Sequence, residues 1–274
     1  MGTAIVISRC AAALTILVAL EPHARAQAAP AELRYDTPVD LTITLGGAAA
    51  WLGSEIIGKG ALAPDACHWC EPPAIDSAAR DALKWDDTRT AETMSNVLGF
   101  GLVPAALVGL DALLALHDDA SAAIGPDVLI IAEATIVAMD LNQAVKFLVG
   151  RERPIVHALA PDAKRLTAMP DDNNLSFFSG HTTATFAVAV ATGTVASMRG
   201  YRWAPVAWAL GPALAATTGY LRIAADKHYL TDVVTGAVIG SGIGFALPYF
   251  FHSARSGGST VGLAPTVVLL RGVF

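Results

Sequence analysis

The stretch Leu221-Arg222-Ile223-Ala224-Ala225-Asp226-Lys227-His228-Tyr229-Leu230-Thr231-Asp232 separates two apolar runs, 203–221 and 233–251, each 19 residues long and free of Asp, Glu, Lys and Arg. Runs of that length, rich in Ala and Gly and without sustained period-2 alternation, predict helices rather than strands. The charged dozen between them becomes the turn at which two helices meet. Working outward, comparable apolar stretches lie at 40–58, 94–116, 127–149 and 181–198, separated by turn-forming or charged segments. With 203–221 and 230–251 they make six helices, and the expected fold is an all-α six-helix bundle.

Composition points the same way. Of the 274 residues 54% are hydrophobic and 15% charged, against about 25% charged in an average soluble domain. A mean hydropathy of +0.50 excludes disorder, fibrous repeats and a charged arm. Eighteen Lys and Arg against 24 Asp and Glu leave a net charge of −6, the wrong sign for neutralising a nucleic-acid backbone, so no nucleic-acid partner is expected. The runs 203–221 and 233–251 fit membrane-spanning helices. The stretch 127–149 carries Asp127, Glu133, Asp140 and Lys146, and each ionisable group at a bilayer centre costs about 2.5–3.5 kcal/mol unless it faces the bundle interior. Reading those charges as inward-facing favours an integral membrane bundle, with a soluble periplasmic bundle as the alternative.

Arg9, the apolar run 10–20, Pro22 and the small residues of Ala24-Arg25-Ala26 resemble an export signal cleaved after Ala26. The expected organisation is a signal peptide over 1–26, an N-terminal segment over 27–93 with the first helix and a Cys-x-x-Cys loop, a helical core over 94–251, and a tail over 252–274. That tail has room for one short strand from Ser259. The expected location is the cell envelope, after export. Cys67-His68-Trp69-Cys70 admits three readings: a zinc site, a redox pair or a local disulfide. Too few neighbouring ligands and the lack of a strand–helix context favour the disulfide between Cys67 and Cys70 in an exported chain.

Three segments pair a cation or a histidine with a helix end. Lys146 and Arg153 stand seven apart, two helical turns, so a continuous helix stopped by Pro154 would send both from one face; the bland reading of Lys146 to Arg153, Arg151 included, is a basic helix end complementing the macrodipole. Ser176-Phe177-Phe178-Ser179-Gly180-His181-Thr182-Thr183 precedes an Ala/Val-rich run: Ser179 suits an N-cap, Gly180 lets backbone approach an anion, and His181 is a proton donor at the rim. In the opening stretch, His228 and Asp232 lie at i and i+4, so the carboxylate can hold one ring nitrogen and leave the other as a nucleophile, with Arg222 as a third cation. The polar run Asp171-Asp172-Asn173-Asn174 reads as a solvated turn.

Together, Lys-x6-Arg-Pro, Ser-Gly-His and Arg-x5-His-x3-Asp over 146–232 resemble the signature of the type-2 phosphatidic acid phosphatase and vanadium haloperoxidase superfamily. Phe178 and Leu221 stand where that family commonly has Pro and Ser. The resemblance implies a six-helix catalytic core in which His228 attacks phosphorus to form a phosphohistidine, Asp232 steadies its imidazole and His181 protonates the leaving oxygen. It implies that Lys146, Arg153, Ser179, Gly180 and Arg222 bind the phosphate. No metal or other cofactor is expected, with vanadate an inhibitor mimicking phosphate. The implied substrate is a phosphorylated lipid, as phosphate or pyrophosphate monoester, presented by a membrane. The alternatives are an acid phosphatase acting on small soluble phosphoesters and a vanadate-dependent haloperoxidase.

Overall fold

The computed structural model describes residues 29–254, so the expected signal over 1–26 and the strand from Ser259 lie outside the described residues. Six long helices account for most of the chain: α1 (Thr37–Leu62), α3 (Thr88–His117), α4 (Ser121–Val149), α6 (Gly180–Arg199), α7 (Ala204–Ala224) and α8 (Leu230–Phe251). Two short ones complete it, α2 (Ala74–Leu83) and α5 (Pro154–His157). Each of the six expected stretches is a helix, and no strand occurs among the described residues; a single isolated bridge joins Trp69 and Arg151.

The helix α6 is the axis of the bundle. Its sequence, GHTTATFAVAVATGTVASMR, is built of small residues on every side, with Thr183, Thr185, Thr192 and Thr194 donating their hydroxyls to carbonyls four residues back, so it is buried along nearly its whole length. The helices α4, α7 and α8 pack around it. On the α8 side the contact is backbone to backbone: a Cβ on Gly236 would sit 2.8 Å from the Ser179 carbonyl oxygen, and one on Gly244 2.5 Å from that of Ala187. Small residues let the two helices touch where larger side chains would hold them apart.

Four helices, α1, α3, α4 and α8, are long and apolar enough to cross a membrane. The helix α7, expected to span over 203–221, is not among them, and α4 is, despite its four ionisable residues. The inward reading of those residues holds for three. Asp127 accepts from Arg199 Nε and Tyr201 Oη, both at 2.8 Å, while Glu133 and Lys146 are buried and Asp140 is partly exposed. The outer surfaces of α1, α3 and α8 carry Ile56, Ile57, Leu113, Phe250 and Phe251, all strongly exposed. An apolar girdle of this extent favours an integral membrane bundle.

Candidate active site

All three motifs arrive at one end of the bundle. Lys146 lies in the last turn of α4, but the continuous helix expected through Arg153 is not formed. The helix ends at Val149; Gly150 adopts φ 58° and returns its N–H to the Lys146 carbonyl at 3.1 Å. A left-handed glycine is a strong helix stop. Pro154 therefore does not end α4 but opens α5, where its fixed φ and missing N–H suit the first helical position. Arg153 reaches the site from extended backbone.

Lys146, Arg153, Gly180, His181, Arg222 and His228 line one cavity of about 170 Å³. Lys146 Nζ has no hydrogen-bond partner among the described residues and lies at the start of α6, where a Cβ on Gly180 would stand 3.3 Å from it. The same Cβ would stand 3.0 Å from Asn142 Oδ1, so glycine keeps this corner open. Asn142 is tied across to the Phe178 carbonyl at 2.7 Å.

The i, i+4 contact expected between His228 and Asp232 is displaced. His228 precedes α8, and its Nδ1 lies 2.8 Å from the Ser176 carbonyl oxygen but 3.6 Å from Asp232 Oδ2. A carbonyl only accepts, so Nδ1 carries the proton and Nε2 keeps its lone pair. Arg153 Nη1 stands 3.3 Å from that Nε2. Burial, followed by the nearby Arg153, Arg222 and Lys146, holds the proton affinity of His228 well below the usual imidazole value.

Asp172 is not the solvated turn residue expected from its polar loop. Its carboxylate accepts from Lys59 Nζ at 2.9 Å and Arg153 Nη2 at 2.7 Å, and it borders the cavity. Burial disfavours its charge, yet Arg153, Lys59 and Lys146 together outweigh that and keep it ionised far below the ordinary carboxylate range. Asn96 plays a comparable part at the opposite wall, where its Oδ1 accepts from His181 Nε2 at 2.8 Å and Arg222 Nη1 at 3.3 Å. Ser179 departs from expectation. It occupies the N-cap position of α6 without a side-chain cap bond, is fully buried, does not line the cavity, and accepts from the Thr182 hydroxyl at 2.9 Å.

Behind the cavity lies a network that sequence reasoning missed. Arg151, read as a helix-end cation, is 1% exposed and turned inward. It donates to Asp232 Oδ1 at 2.5 Å and Asp76 Oδ2 at 2.6 Å, with its guanidinium 3.8 Å from the Trp69 ring centroid and 4.4 Å from that of Tyr229. Asp232 also accepts from Ser176 Oγ at 2.6 Å and Tyr229 N at 2.9 Å. Asp76 in turn receives Thr231 N at 2.8 Å. Glu152 and Asp226, adjacent in sequence to motif cations, pair elsewhere: Glu152 with Lys164 and His157, and Asp226 with Arg80. Cys67 and Cys70 are joined by a disulfide, and the loop it closes presents Trp69 to Arg151. No local spacing signals the Asp76–Arg151–Asp232 chain, because its members stand 75 and 81 positions apart.

Residues 127–256 match the model of the PAP2 superfamily, a span holding all three motifs together with α6, α7, α8 and most of α4. A crystal structure described as that of the first transmembrane PAP2 type phosphatidylglycerolphosphate phosphatase from Bacillus subtilis is similar over 76% of this chain and 93% of that chain, at 16% identity and a TM-score of 0.46. No curated protein matches the sequence.

Proposed function

Because residues 127–256 match the model of the PAP2 superfamily, we propose that the protein is a phosphatase that hydrolyses a lipid phosphate or pyrophosphate monoester through a phosphohistidine. The observation that carries this reading is His228, whose Nε2 lone pair faces a cavity shared with Lys146, Arg153 and Arg222. A buried neutral imidazole held by a carbonyl on one side is a nucleophile on the other. Lys146, Arg153 and Arg222 surround the phosphoryl oxygens, and the N-terminal backbone of α6 at Gly180 adds uncommitted N–H groups. Arg153 exchanges its contacts with Asp172 and His228 Nε2 for phosphate when substrate enters.

Attack by Nε2 leaves a positive ring. Its Nδ1–H stays on the Ser176 carbonyl, and Asp232 at 3.6 Å offsets the charge without taking the proton. His181 stands across the cavity with its Nε2 on Asn96. The charge of the bound phosphate raises its proton affinity, so His181 serves as the acid for the departing oxygen, then as the base for the water that frees phosphate. The three cations supply the positive charge, so this reading needs no divalent ion at the phosphate.

A lipid substrate is favoured by the mouth of the cavity. Trp51 of α1 and Phe100 of α3, both on candidate spans, stand there with ring centroids 6.1 Å apart, beside Met139. Ser179 remains part of the proposal only as a support for the α6 start.

Brief reaction with a phosphate-labelled lipid ester, quenched in alkali, tests the reading. The wild type is expected to retain alkali-stable, acid-labile label at His228, and His228→Ala to retain none and lose turnover by at least about 10⁴-fold. Undiminished turnover in His228→Ala would overturn the mechanism. Faster turnover of a small soluble ester than of the lipid would overturn the substrate class. Vanadate is expected to inhibit competitively.

A further inference from the structure

Far from the phosphate cavity, three acid and imidazole side chains that the sequence reading did not connect come together. Asp40 of the first turns of α1, Glu133 of α4 and His252, directly after α8, are 6%, 5% and 3% exposed. One ligand atom of each lies within 4.8 Å of the others. His252 Nδ1 donates to the Arg34 carbonyl at 2.9 Å, which turns Nε2 toward Glu133 Oε2, 3.4 Å away. Both of those atoms are buried and make no hydrogen bond. Asp40 Oδ2 accepts from Asp36 N at 2.8 Å. Neither carboxylate has a Lys or Arg partner among the described residues.

The geometry points to a divalent metal site formed by Asp40, Glu133 and His252, of the kind that takes zinc. Two buried carboxylates that share one imidazole and have no Lys or Arg call for a further cation, and two facing buried atoms without a hydrogen bond call for something between them. A divalent ion satisfies both and brings the cluster to zero charge. The 3.4 Å separation fits the edge of a tetrahedron with metal–ligand bonds of about 2.0–2.2 Å, which is roughly 3.3–3.6 Å. An imidazole whose other nitrogen donates to a backbone carbonyl is the usual posture of a metal ligand. One nitrogen and two oxygens suit zinc better than magnesium or calcium, which take six or more oxygens. The cluster borders a cavity of about 710 Å³, also lined by Leu33, Val39 and Leu247, which admits the ion and a water as fourth ligand.

The site binds α1 to α4 and α8, and α1 needs such a fastening: only 6% of its most apolar window is buried. Thirteen residues of α4 separate Glu133 from Lys146, about 20 Å of helix, so the ion stays clear of the phosphate. The proposed site departs from the sequence-based expectation of no metal; its role is structural and lies outside the phosphate chemistry.

The test uses the full chain in detergent, freed of any affinity tag and stripped with a chelator that is then removed. Titration with Zn²⁺ is expected to give one tight equivalent per chain and a raised Tm. His252→Gln and Glu133→Gln should each weaken that binding at least tenfold and abolish the Tm gain. X-ray absorption of the zinc-loaded wild type, which needs no variant, should show one imidazole among oxygen ligands. The proposal is overturned if Zn²⁺ does not bind, if the variants bind and gain Tm as the wild type does, or if the bound zinc has no imidazole ligand. A stability that depends on pH but not on Zn²⁺ would likewise overturn it, assigning the cluster to a shared proton.

Discussion

At the scale of single residues, the proposed chemistry rests on one nitrogen being left unprotonated. Only neutral His228 is nucleophilic, and its proton affinity is depressed by burial and by Arg153, Arg222 and Lys146. Lowering the affinity extends the neutral form downward in pH, so the acid limb of kcat/KM is expected well below pH 6.5. Replacing Arg153 with Met removes one of the depressing charges, and the limb should then move to higher pH while the rate falls. A pH–rate profile of both proteins checks the sign; an unmoved limb would mean that His228 does not set it. Arg151 makes the opposite kind of contribution. It touches no cavity atom, but Arg151→Met leaves Asp76 and Asp232 as buried carboxylates without their cation, a loss of about 3–5 kcal/mol by denaturant unfolding. The sequence reading found His228, Lys146, Arg153 and Arg222 because each belongs to a short spaced motif. Arg151 sits inside one of those motifs and was still misread, since its meaning depends on partners drawn from α2 and α8.

At the scale of elements, the six helices were legible because their apolar stretches are longer than any strand and poor in β-formers, whereas the termination of α4 was not. Seven-residue spacing suggested a shared face for Lys146 and Arg153, and a glycine at φ 58° interrupted it. A helix that must hand its chain to a cavity gains from ending early, because the extended residues after it carry Arg153 around to His228. The fit of α6 against α8 sets where the phosphate-facing start of α6 lies. Gly236→Val would drive a side chain into the Ser179 carbonyl. Such overpacking should cost about 1–3 kcal/mol and lower kcat more than it raises KM, because it moves the Gly180 backbone proposed to meet the phosphate. Equal turnover in the variant, with the stability lost, would show that the position of the α6 start is not critical.

At the scale of the whole molecule, the site groups and the disulfide loop gather at one end of the bundle, with the apolar girdle beside them. Composition and hydropathy conveyed the girdle; they could not convey which helix is central, since α6, the buried axis, is less apolar than α8 and only packing reveals its place. If the loop bearing Cys67 and Cys70 faces away from the cytoplasm, an impermeant thiol reagent should label it in intact cells once the disulfide is reduced. Protection there would place the site on the cytoplasmic face.

The helix α1 has a further consequence. It leans on α4 through Gly47 and is tied to the rest of the site by Lys59 on Asp172, yet most of its length has no neighbour on the other side. An element held like a panel in a frame offers a seam, and the seam between Trp51 and Phe100 lies between two helices apolar enough to cross a membrane. We therefore expect an amphiphile to slide in from its own leaflet, headgroup first, without ever leaving the sheet of lipids. A Trp51→Cys, Phe100→Cys pair, oxidised to bolt the seam shut, should stop turnover of a long-chain ester and leave a short soluble one almost untouched; if both persist, the route runs elsewhere.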